Sequence, residues 1–399
     1  MYVIRKISFL ITKIKTCKEN SKTFTRCLLC VKKIEISLHE QNNCNMETWQ
    51  LLPLPYRDDL ESKKILKKLS SANRALAELK GIAQSIPQQS VLINTLSMQE
   101  AKDSSEVENI VTTHDEIYKS ALSDSNLSPA SKEVKNYIEA LKKAFDLVKQ
   151  KQIITINDII AVQQILEKNN AGFRKVPGTN LKNQKTGEVI YEPPQNADDI
   201  KNLMGNLVDF INDDTLSDYD PILKMAIIHF QFESIHPFYD GNGRTGRILN
   251  IAYLVLKGLL DIPVLYLSRY VIQNKEAYYK NIQAVRDENA WEYWLLFMLD
   301  GVEQTAYNAI EVIKRIKYSM GIMKKQLKDN YKFYSHDLIN HLFKHPYTKI
   351  EFLKNELGIS RVTAGSYLNQ LAEGGILEKI RHGKSNYYVN KELVDILIN

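Results

Sequence analysis

The sequence predicts a mainly α-helical protein that carries one β-hairpin and a small C-terminal module of helices and strands. Most of the chain from Leu60 to Leu327 repeats apolar residues three and four positions apart, which is the spacing of an amphipathic helix. Prolines and glycines between residues 177 and 187 interrupt this pattern, and the pattern changes again from about Lys332. These observations indicate a helical core, a hairpin and a C-terminal unit.

The helical segments differ in how much of their surface is apolar. Residues 61–83, 132–152 and 288–327 each carry one apolar stripe, which is typical of helices at the surface of a core. Residues 221–235 and 248–260 are apolar on nearly all sides. We therefore expect the last two segments to be buried helices.

The interruption has the composition of a hairpin. Residues 173–194 contain two short extended runs on either side of Lys185, Thr186 and Gly187, which is a turn sequence. Two prolines end this segment, and helical periodicity resumes at residues 198–213. The sequence thus predicts one hairpin inserted between helices.

The C-terminal segment is predicted to be a winged helix-turn-helix. Gly358 makes the turn between two helices, Ser360 caps the second helix, and Gly374 and Gly375 end it before two strands. Such modules commonly place the second helix in a DNA groove. Residues 332–399 hold nine Lys and Arg against seven Asp and Glu, which is a weak electrostatic footprint for DNA. Docking to protein or dimerisation is an equally good interpretation.

Composition sets the broad class of the protein. The 399 residues suffice for two or three domains, and 44% hydrophobic with 25% charged residues is ordinary for a soluble globular protein. The formal charge of +6 comes entirely from residues 1–45, since the rest of the chain balances 44 basic against 44 acidic residues. Net charge therefore gives no reason to expect a nucleic-acid or membrane partner for most of the chain.

Residues 1–45 differ from the rest of the chain. All four cysteines, Cys17, Cys27, Cys30 and Cys44, lie there, but their spacings match no common zinc site. Met46 begins a segment that reads as the start of a compact protein, so we interpret residues 1–45 as an extension or a misassigned start. The cysteine-free remainder favours the cytoplasm.

A polar loop of twelve residues, HPFYDGNGRTGR from His236 to Arg247, lies between the two buried helices and is named here the signature loop. It must lie at the start of the second helix, where unpaired N–H groups and the positive end of the helix dipole attract anions. Gly241 and Gly243 let the backbone approach a phosphate closely, and Asn242 tolerates the left-handed conformation that such a curl needs. The loop therefore favours phosphate binding.

The charged side chains of the signature loop fit the same chemistry. Arg244 and Arg247 are three positions apart and suit a polyphosphate. Asp240 would repel phosphate unless it holds Mg²⁺. His236 is the loop residue that can remove a proton near neutral pH, and Phe238 anchors the loop in the core. An ordinary turn, a core histidine and solvated arginines are alternatives for single residues, but their combination favours phosphate chemistry.

The signature loop resembles the Fic family pattern H-x-F-x-[D/E]-G-N-G-R-x-x-R at every fixed position, and the resemblance extends roughly from Leu52 to Met298. It implies a helical Fic core that transfers AMP from ATP to a hydroxyl side chain of a protein, with Mg²⁺ or Mn²⁺. It further implies that His236 is the general base and that Asp240 is the metal ligand. The α- and β-phosphates would be held by Gly241, Asn242 and Gly243. Arg244 would bind the β-phosphate and Arg247 the γ-phosphate.

Two further segments match the family's substrate-binding regions. The hairpin lies where Fic proteins have a flap that aligns the target by strand pairing, with an ordinary exposed hairpin as the alternative. The flap residues are Thr179, Asn180, Leu181, Val189, Ile190 and Tyr191. Residues 274–291 resemble the region that encloses adenine, with Tyr278 as the ring contact, although Tyr278 and Tyr279 also fit a core. Arg286 stands where some members have asparagine.

An inhibitory pattern of the family, [S/T]-x-x-x-E-[G/N], matches Ser104, Glu108 and Asn109. The resemblance implies that Glu108 pairs with Arg247 and so keeps the γ-phosphate from its partner. A simpler interpretation takes Ser105 and Glu108 as a capping box for a helix that follows them. We favour inhibition because the loop on which it acts is present.

The expected organisation is an extension (residues 1–45), an N-terminal helical region with the inhibitory helix (46–130), a Fic core (131–330) and a winged helix-turn-helix (331–399). The expected function is a self-inhibited protein adenylyltransferase acting on unknown targets, itself included, with no membrane partner and a homodimer as one assembly. The same site could instead remove AMP from a target. A third interpretation is a nucleotide-sensing regulator that binds DNA.

Overall fold

The computed structural model describes residues 51–56, 60–120, 127–182, 186–382 and 385–398. The four cysteines and the whole of residues 1–45 lie outside this part of the chain. The helices of the first part are α1 (Lys63–Ala83), α2 (Gln89–Val107), α3 (His114–Ser120), α4 (Pro129–Lys151), α5 (Ile156–Glu167), α6 (Ala197–Asn212), α7 (Pro221–Ile235) and α8 (Asn242–Leu256). Further along the chain are α9 (Ser268–Gln273), α10 (Lys275–Glu288) and α11 (Trp291–Asn330). The mainly α-helical class predicted from the sequence is confirmed.

The two apolar segments form the central helices α7 and α8, which pack against each other. Asp220 caps α7 by accepting a hydrogen bond from the Ile222 amide (2.8 Å), and Pro221 supplies the first helical residue. The helix ends at His236, whose φ of 49° is in the left-handed region. Nearly all side chains of both helices are buried, so the loop between them has two rigid anchors.

The remaining helices surround this pair. The long helix α11 packs along α1 and also against α7 and α10. Trp294 of α11 is fully buried and donates a hydrogen bond from its indole N–H to the Ala226 carbonyl of α7 (3.0 Å). Helix α4 contacts α2, α5 and α8, and α2 also contacts α8 directly. Two short strands, β1 (Leu181–Lys182) and β2 (Val189–Tyr191), form the antiparallel hairpin expected from the sequence.

The C-terminal part comprises α12 (His336–Lys344), β3 (Tyr347–Thr348), α13 (Ile350–Leu357), α14 (Arg361–Glu373), β4 (Glu378–His382), β5 (Ser385–Val389) and α15 (Lys391–Ile398). Its antiparallel sheet has the order β3-β5-β4. Gly358 ends α13 in the left-handed region (φ 64°), and the Ser360 hydroxyl accepts from the Thr363 amide (3.0 Å) to cap α14. These two residues have the local roles that the sequence predicts.

This C-terminal part packs on the helix that precedes Glu108. Helix α12 contacts α2, and the Asn340 amide donates to Gln88 Oε1 (2.9 Å). The Tyr347 hydroxyl donates to Asp115 Oδ1 (2.9 Å) on α3. Within the described residues, no helix combines the length and the apolar character needed to cross a membrane.

Candidate active site

The signature loop is closed by one amide side chain. Asn242 Oδ1 accepts from the Phe238 N–H (2.9 Å), and Asn242 Nδ2 donates to the Phe238 carbonyl (2.8 Å). Phe238 itself is fully buried against Phe173 and Phe232. The side chain of Asn242 therefore supports the loop from inside, and only its backbone N–H is left to face a phosphate. The predicted anchor role of Phe238 agrees with this packing.

Helix α8 begins with an uncapped N-terminus. It starts after Gly241, which has a φ of 79°, and no described side chain caps its first amides. The first N–H groups of any helix lack intrahelical acceptors, and they carry the positive end of its dipole. A Cβ atom on Gly243 would clash with Glu108 Oε1, so a carboxylate already lies at this helix end. The geometry is that of an anion-binding site.

His236 lies at the entrance to the loop with its backbone fixed and its ring partly buried. Its N–H donates to the Phe232 carbonyl (3.0 Å), and its carbonyl accepts from Arg174 Nε (2.8 Å). Burial lowers the pKa of the imidazole to about 4, and the positive charges of Arg174 and Arg286 act in the same direction. The ring is therefore neutral at neutral pH and can accept a proton.

Arg244 is buried between two carboxylates that the sequence analysis did not identify. Its guanidinium contacts Glu133 of α4 and Glu167 Oε1 of α5 (2.7 Å). Burial, together with the nearby Asp240 and Glu133 carboxylates, raises the pKa of Glu167 to about 7 against the opposing charge of Arg244. Asp240 is exposed, and its Oδ1 accepts from the Gly241 N–H (2.7 Å). Acidic groups thus surround the start of α8.

Arg247 is buried, and two of its three nitrogens donate hydrogen bonds to the end of α2. Its Nε donates to Ser104 Oγ (2.8 Å), and its Nη2 donates both to the Ser104 carbonyl (2.9 Å) and to Glu108 Oε1 (2.8 Å). Burial alone would raise the pKa of Glu108, but the charge and hydrogen bond of Arg247 outweigh it, so the pKa is lowered. The pair expected between Glu108 and Arg247 is therefore present in this structure as an ion pair.

The capping-box interpretation of Ser105 and Glu108 is wrong. These residues end α2, with Glu108 as its C-cap, and the next helix begins only at His114. Asn109 follows in the left-handed region (φ 63°), its N–H donates to the Glu106 carbonyl (2.9 Å), and the Ile110 N–H donates to the Ser105 carbonyl (3.0 Å). This pair of bonds is a Schellman motif. It explains physically why glycine or asparagine suits the last position of the inhibitory pattern.

Tyr278, the residue expected to contact adenine, lies in the core. Its side chain is 3% exposed, and its hydroxyl lies 2.9 Å from His229 Nε2. His229 in turn contacts Asn250 (3.1 Å), so the phenol belongs to a buried hydrogen-bonded chain. The neighbouring Tyr279 is 47% exposed. Burial of its hydroxyl and the Glu108 carboxylate both raise the pKa of this phenol.

The flap is attached to α7 through Tyr191 and Arg286. The Tyr191 hydroxyl donates to the Ser234 carbonyl (2.8 Å), and the Arg286 guanidinium stacks 3.8 Å from the centre of the Tyr191 ring. Arg286 Nη2 also donates to Ser234 Oγ (3.1 Å). Arg286 is buried in this contact. The arginine that stands where some family members have asparagine therefore holds the base of the flap against α7.

The flap presents its second strand outward. Leu181 pairs with Tyr191 in the register of the hairpin, while Val189 and Ile190 of β2 are about half exposed. Gln195 Nε2 donates to the Thr179 carbonyl (2.9 Å) and holds the start of the hairpin. Asn180 is exposed beside it, and the tip at residues 183–185 lies outside the described residues.

Glu233 is a further group that sequence reasoning missed. Its Oε1 is buried without a hydrogen-bond partner among the described residues, and it would lie 2.6 Å from a Cβ atom on Gly246. Burial raises its pKa to about 7, although Arg247 lowers it. Glu233 lies one helical turn before His236. The sequence shows this spacing, but it matches no known motif, so nothing marked Glu233 as a functional residue.

Comparison with known proteins places this site in a family. Residues 147–254 match the Fic/DOC family model and residues 66–146 match the Fic/DOC family N-terminal model. Residues 320–393 match the C-terminal domain of SoFic-like protein adenylyltransferases. These matches cover the helices that build the signature loop and the helix that bears the inhibitory pattern.

Individual relatives agree with these matches. The chain is 32% identical over 146 residues to a probable protein adenylyltransferase of Aquifex aeolicus, covering 36% of this chain and 44% of that protein. It is 30% identical over 95 residues to a protein adenylyltransferase of Caenorhabditis elegans, covering 23% of this chain and 19% of that protein. The chain thus spans less than half the length of these relatives.

A solved structure shares the fold. A Fic family protein from Desulfovibrio desulfuricans superposes with a TM-score of 0.53 at 19% identity, covering 85% of this chain and 98% of that one. The family matches, the complete signature loop and the shared fold lead to the same assignment. The chain belongs to the Fic/DOC family.

Proposed function

We propose that the protein transfers AMP from ATP to a Ser, Thr or Tyr hydroxyl of a target protein. One observation carries the proposal: an uncapped helix N-terminus lies among His236, Asp240, Arg244 and Arg247. The two relatives described above are named as protein adenylyltransferases, which supports the same reaction. In this reaction the hydroxyl oxygen bonds to the α-phosphorus, the bond from that phosphorus to the bridging oxygen breaks, and pyrophosphate leaves.

The phosphates of ATP would lie at the start of α8. The amides of Gly241, Asn242 and Gly243 supply N–H groups, and the helix dipole adds positive potential. Arg244 would contact the β-phosphate region, and Arg247 would take the γ-phosphate when it is free of Glu108. Positioning and charge neutralisation supply most of the rate enhancement in phosphoryl transfer.

Mg²⁺ or Mn²⁺ fits the donors around Asp240. The exposed Asp240 carboxylate stands next to Glu167 at the α8 N-terminus, and carboxylate oxygens are the ligands that hard cations prefer. Asp240 would hold the ion against the phosphate oxygens. A bound ion supplies charge neutralisation there, while the amides and arginines orient the polyphosphate.

His236 would act as the general base. Its lowered pKa leaves the ring neutral at neutral pH, so it can take the proton from the attacking hydroxyl. The target segment would lie along the exposed edge of the flap at Val189 and Ile190, where backbone pairing aligns the hydroxyl. For adenine we propose the exposed ring of Tyr279 in place of the buried Tyr278.

Self-inhibition follows from the occupied guanidinium of Arg247. Ser104 and Glu108 accept hydrogen bonds from its Nε and Nη2, and the Glu108 carboxylate lies against Gly243 at the helix end. A γ-phosphate in the same place would meet a negative charge and no free arginine. ATP would then bind in a pose that does not expose the α-phosphorus to the hydroxyl.

The test is intact-mass spectrometry of the purified full chain after incubation with ATP and Mg²⁺. The variant Glu108→Gly should gain one AMP or pass it to an added protein acceptor, and label from the α-phosphate should follow. Glu108→Gly with His236→Ala is the matched control and should gain none. Absence of AMP from both the enzyme and the acceptors in Glu108→Gly would refute the proposed reaction.

A further inference from the structure

Two histidines and a glutamate converge in the C-terminal part, on the two helices that follow α11. His341 lies in the last turn of α12, His345 is its C-cap, and Glu356 lies in the last turn of α13. One ligand atom of each lies within 4.8 Å of the others. His341 Nδ1 contacts Glu356 Oε2, and His345 Nε2 lies 3.2 Å from Glu356 Oε1. The spacing of four residues puts both imidazoles on one side of the helix end.

The second nitrogen of His341 has a partner of its own. His341 Nε2 lies 2.6 Å from the hydroxyl of Thr348, and both side chains are buried. When Nε2 carries the proton and donates it to Thr348, the lone pair of Nδ1 points towards the carboxylate of Glu356. A metal-binding histidine typically has its other nitrogen held in this way, which fixes the tautomer. In that tautomer a metal ion between Nδ1 and Oε2 would bind both lone pairs, whereas in the other tautomer Nδ1 donates its proton to Glu356.

One cation already contacts this cluster. Lys344 Nζ contacts Glu356 Oε1, and its side chain is 27% exposed, whereas that of His341 is 1% exposed. Lysine has a flexible stem with an end that can return to water, so a metal ion can displace it. The Phe352 ring packs edge-on against the His345 imidazole, with 5.9 Å between the ring centres, and so helps to hold its orientation. Lys344 would therefore compete with a metal ion for Glu356.

We propose that His341, His345 and Glu356 bind a divalent transition metal ion, with Zn²⁺ as the best match. Two imidazoles and one carboxylate form a common zinc ligand set that leaves a fourth position for water. Mg²⁺ prefers oxygen ligands and would not compete here. The bound ion would cross-link α12 and α13.

The experiment is a calorimetric titration of the full chain with Zn²⁺. All thiols are removed first because thiolates also bind Zn²⁺. This requires changing four residues to serine: Cys17, Cys27, Cys30 and Cys44. We expect one ion per chain at this site, and at least about tenfold weaker binding in His345→Ala. The matched control is His336→Ala, which removes an exposed histidine from the same helix and should leave affinity unchanged. Lys344→Ala should bind at least as tightly as the parent.

A second variant and a spectrum guard against misfolding. His345→Gln keeps a hydrogen-bonding side chain but is a poor metal ligand, so it should fold and still lose affinity. Co²⁺ should give the visible absorption of a four-coordinate nitrogen and oxygen site in the parent and lose it in His345→Gln. No Zn²⁺ binding by the parent, or equal binding by parent and both His345 variants, would overturn the proposal.

Discussion

At the scale of single residues, the side chains of the signature loop divide between holding the loop and facing its opening. Asn242 faces inward because one amide group can satisfy both backbone groups of Phe238. Asp240 is exposed, and His236 keeps a neutral ring because burial, helped by two nearby arginines, lowers the pKa of its imidazole. The same twelve residues thus contain a structural amide and the groups that we expect to do chemistry.

Replacing His236 with alanine should abolish AMP transfer and leave ATP affinity nearly unchanged. The imidazole contacts no phosphate in the proposed scheme, so its loss removes proton abstraction alone. We expect a loss of at least about a hundredfold in rate, the usual contribution of a general base. Rates are measured in the Glu108→Gly background, and nucleotide binding by calorimetry. Equal loss of binding and rate would make His236 a binding group.

Asp240→Ala should abolish AMP transfer, and added Mg²⁺ or Mn²⁺ should not restore it. Its carboxylate faces the polyphosphate, which is unfavourable without a bridging cation. The measurement is the initial rate in Glu108→Gly against Mg²⁺ and Mn²⁺ concentration, with chelator as the zero point. Full activity in the presence of chelator would contradict a metal role for Asp240.

At the scale of elements, the end of α2 positions the inhibitory glutamate. The Schellman motif requires a left-handed residue after the C-cap, and Asn109 meets this requirement. Glu108 therefore stands at a fixed place, within reach of Arg247 on α8. Helix α2 is held in turn by Glu100, whose carboxylate accepts from the Ser268 amide (3.1 Å) and from the Tyr137 hydroxyl (3.0 Å).

Glu108→Gly should raise AMP transfer because it frees Arg247 without touching His236 or Asp240. The gain should vanish in Glu108→Gly with Arg247→Ala, since the arginine is the group that the glutamate occupies. Initial rates and melting temperatures of both variants are the measurements. A Glu108→Gly protein that is less stable and no faster would show that Glu108 serves only to end α2.

Glu100→Gln should make the protein more stable than wild type at pH 8 and change stability little at pH 4. Burial raises the pKa of Glu100 from 4.5 to about 7, although bonds from Ser268 and Tyr137 lower it. The folded state therefore holds the proton more tightly than the unfolded state. The stability due to this group is complete below pH 4.5 and is lost as the pH rises through 7, by about 3 kcal/mol.

The measurement is the free energy of unfolding by urea for both proteins at several pH values. Glutamine does not titrate, and its amide can donate to the Ser268 and Tyr137 hydroxyls as the protonated acid does. The other buried carboxyls and histidines are present in both proteins, so their contributions largely cancel. A difference that stays constant between pH 4 and 8 would contradict the raised pKa.

At the scale of the whole described chain, the C-terminal part and the Fic domain share their packing. Helix α11 runs from the core to the C-terminal part, α15 packs on it, and α12 packs on α2. The described residues fall into one compact unit, consistent with this sharing. We therefore expect the two parts to unfold together.

Leu342→Ala on α12 should lower the stability of the Fic core as well as that of the C-terminal part. The side chain is fully buried, so its truncation should cost about 2 to 5 kcal/mol. Trp291 and Trp294 report on the core by fluorescence, with Trp49→Phe as the background, and circular dichroism reports on all helices. Both transitions should shift together. An unchanged fluorescence midpoint beside an early dichroism phase would show independent domains.

The sequence by itself determined the helical class, the hairpin, the signature loop and the inhibitory pattern, because each depends on residues close together in the chain. Periodicity and turn residues are local signals, and they located the buried pair α7 and α8 and the turn at Gly358 correctly. They failed at Ser105 and Glu108, where the spacing of a capping box also fits the end of a helix.

Only the tertiary structure decided which groups meet. Glu133 contacts Arg244 across 111 residues of sequence, and Glu108 contacts Arg247 across 139. No local pattern encodes the first contact, because it depends on how α4 packs on α8. The same is true of Tyr278 and Tyr279, which are adjacent in sequence: the rotation of α10 against α11 buries one ring and exposes the other. The packing of α10 against α11 and the contact of Tyr278 with His229 on α7 set that rotation, because the apolar stripe of α10 alone does not select which tyrosine is buried.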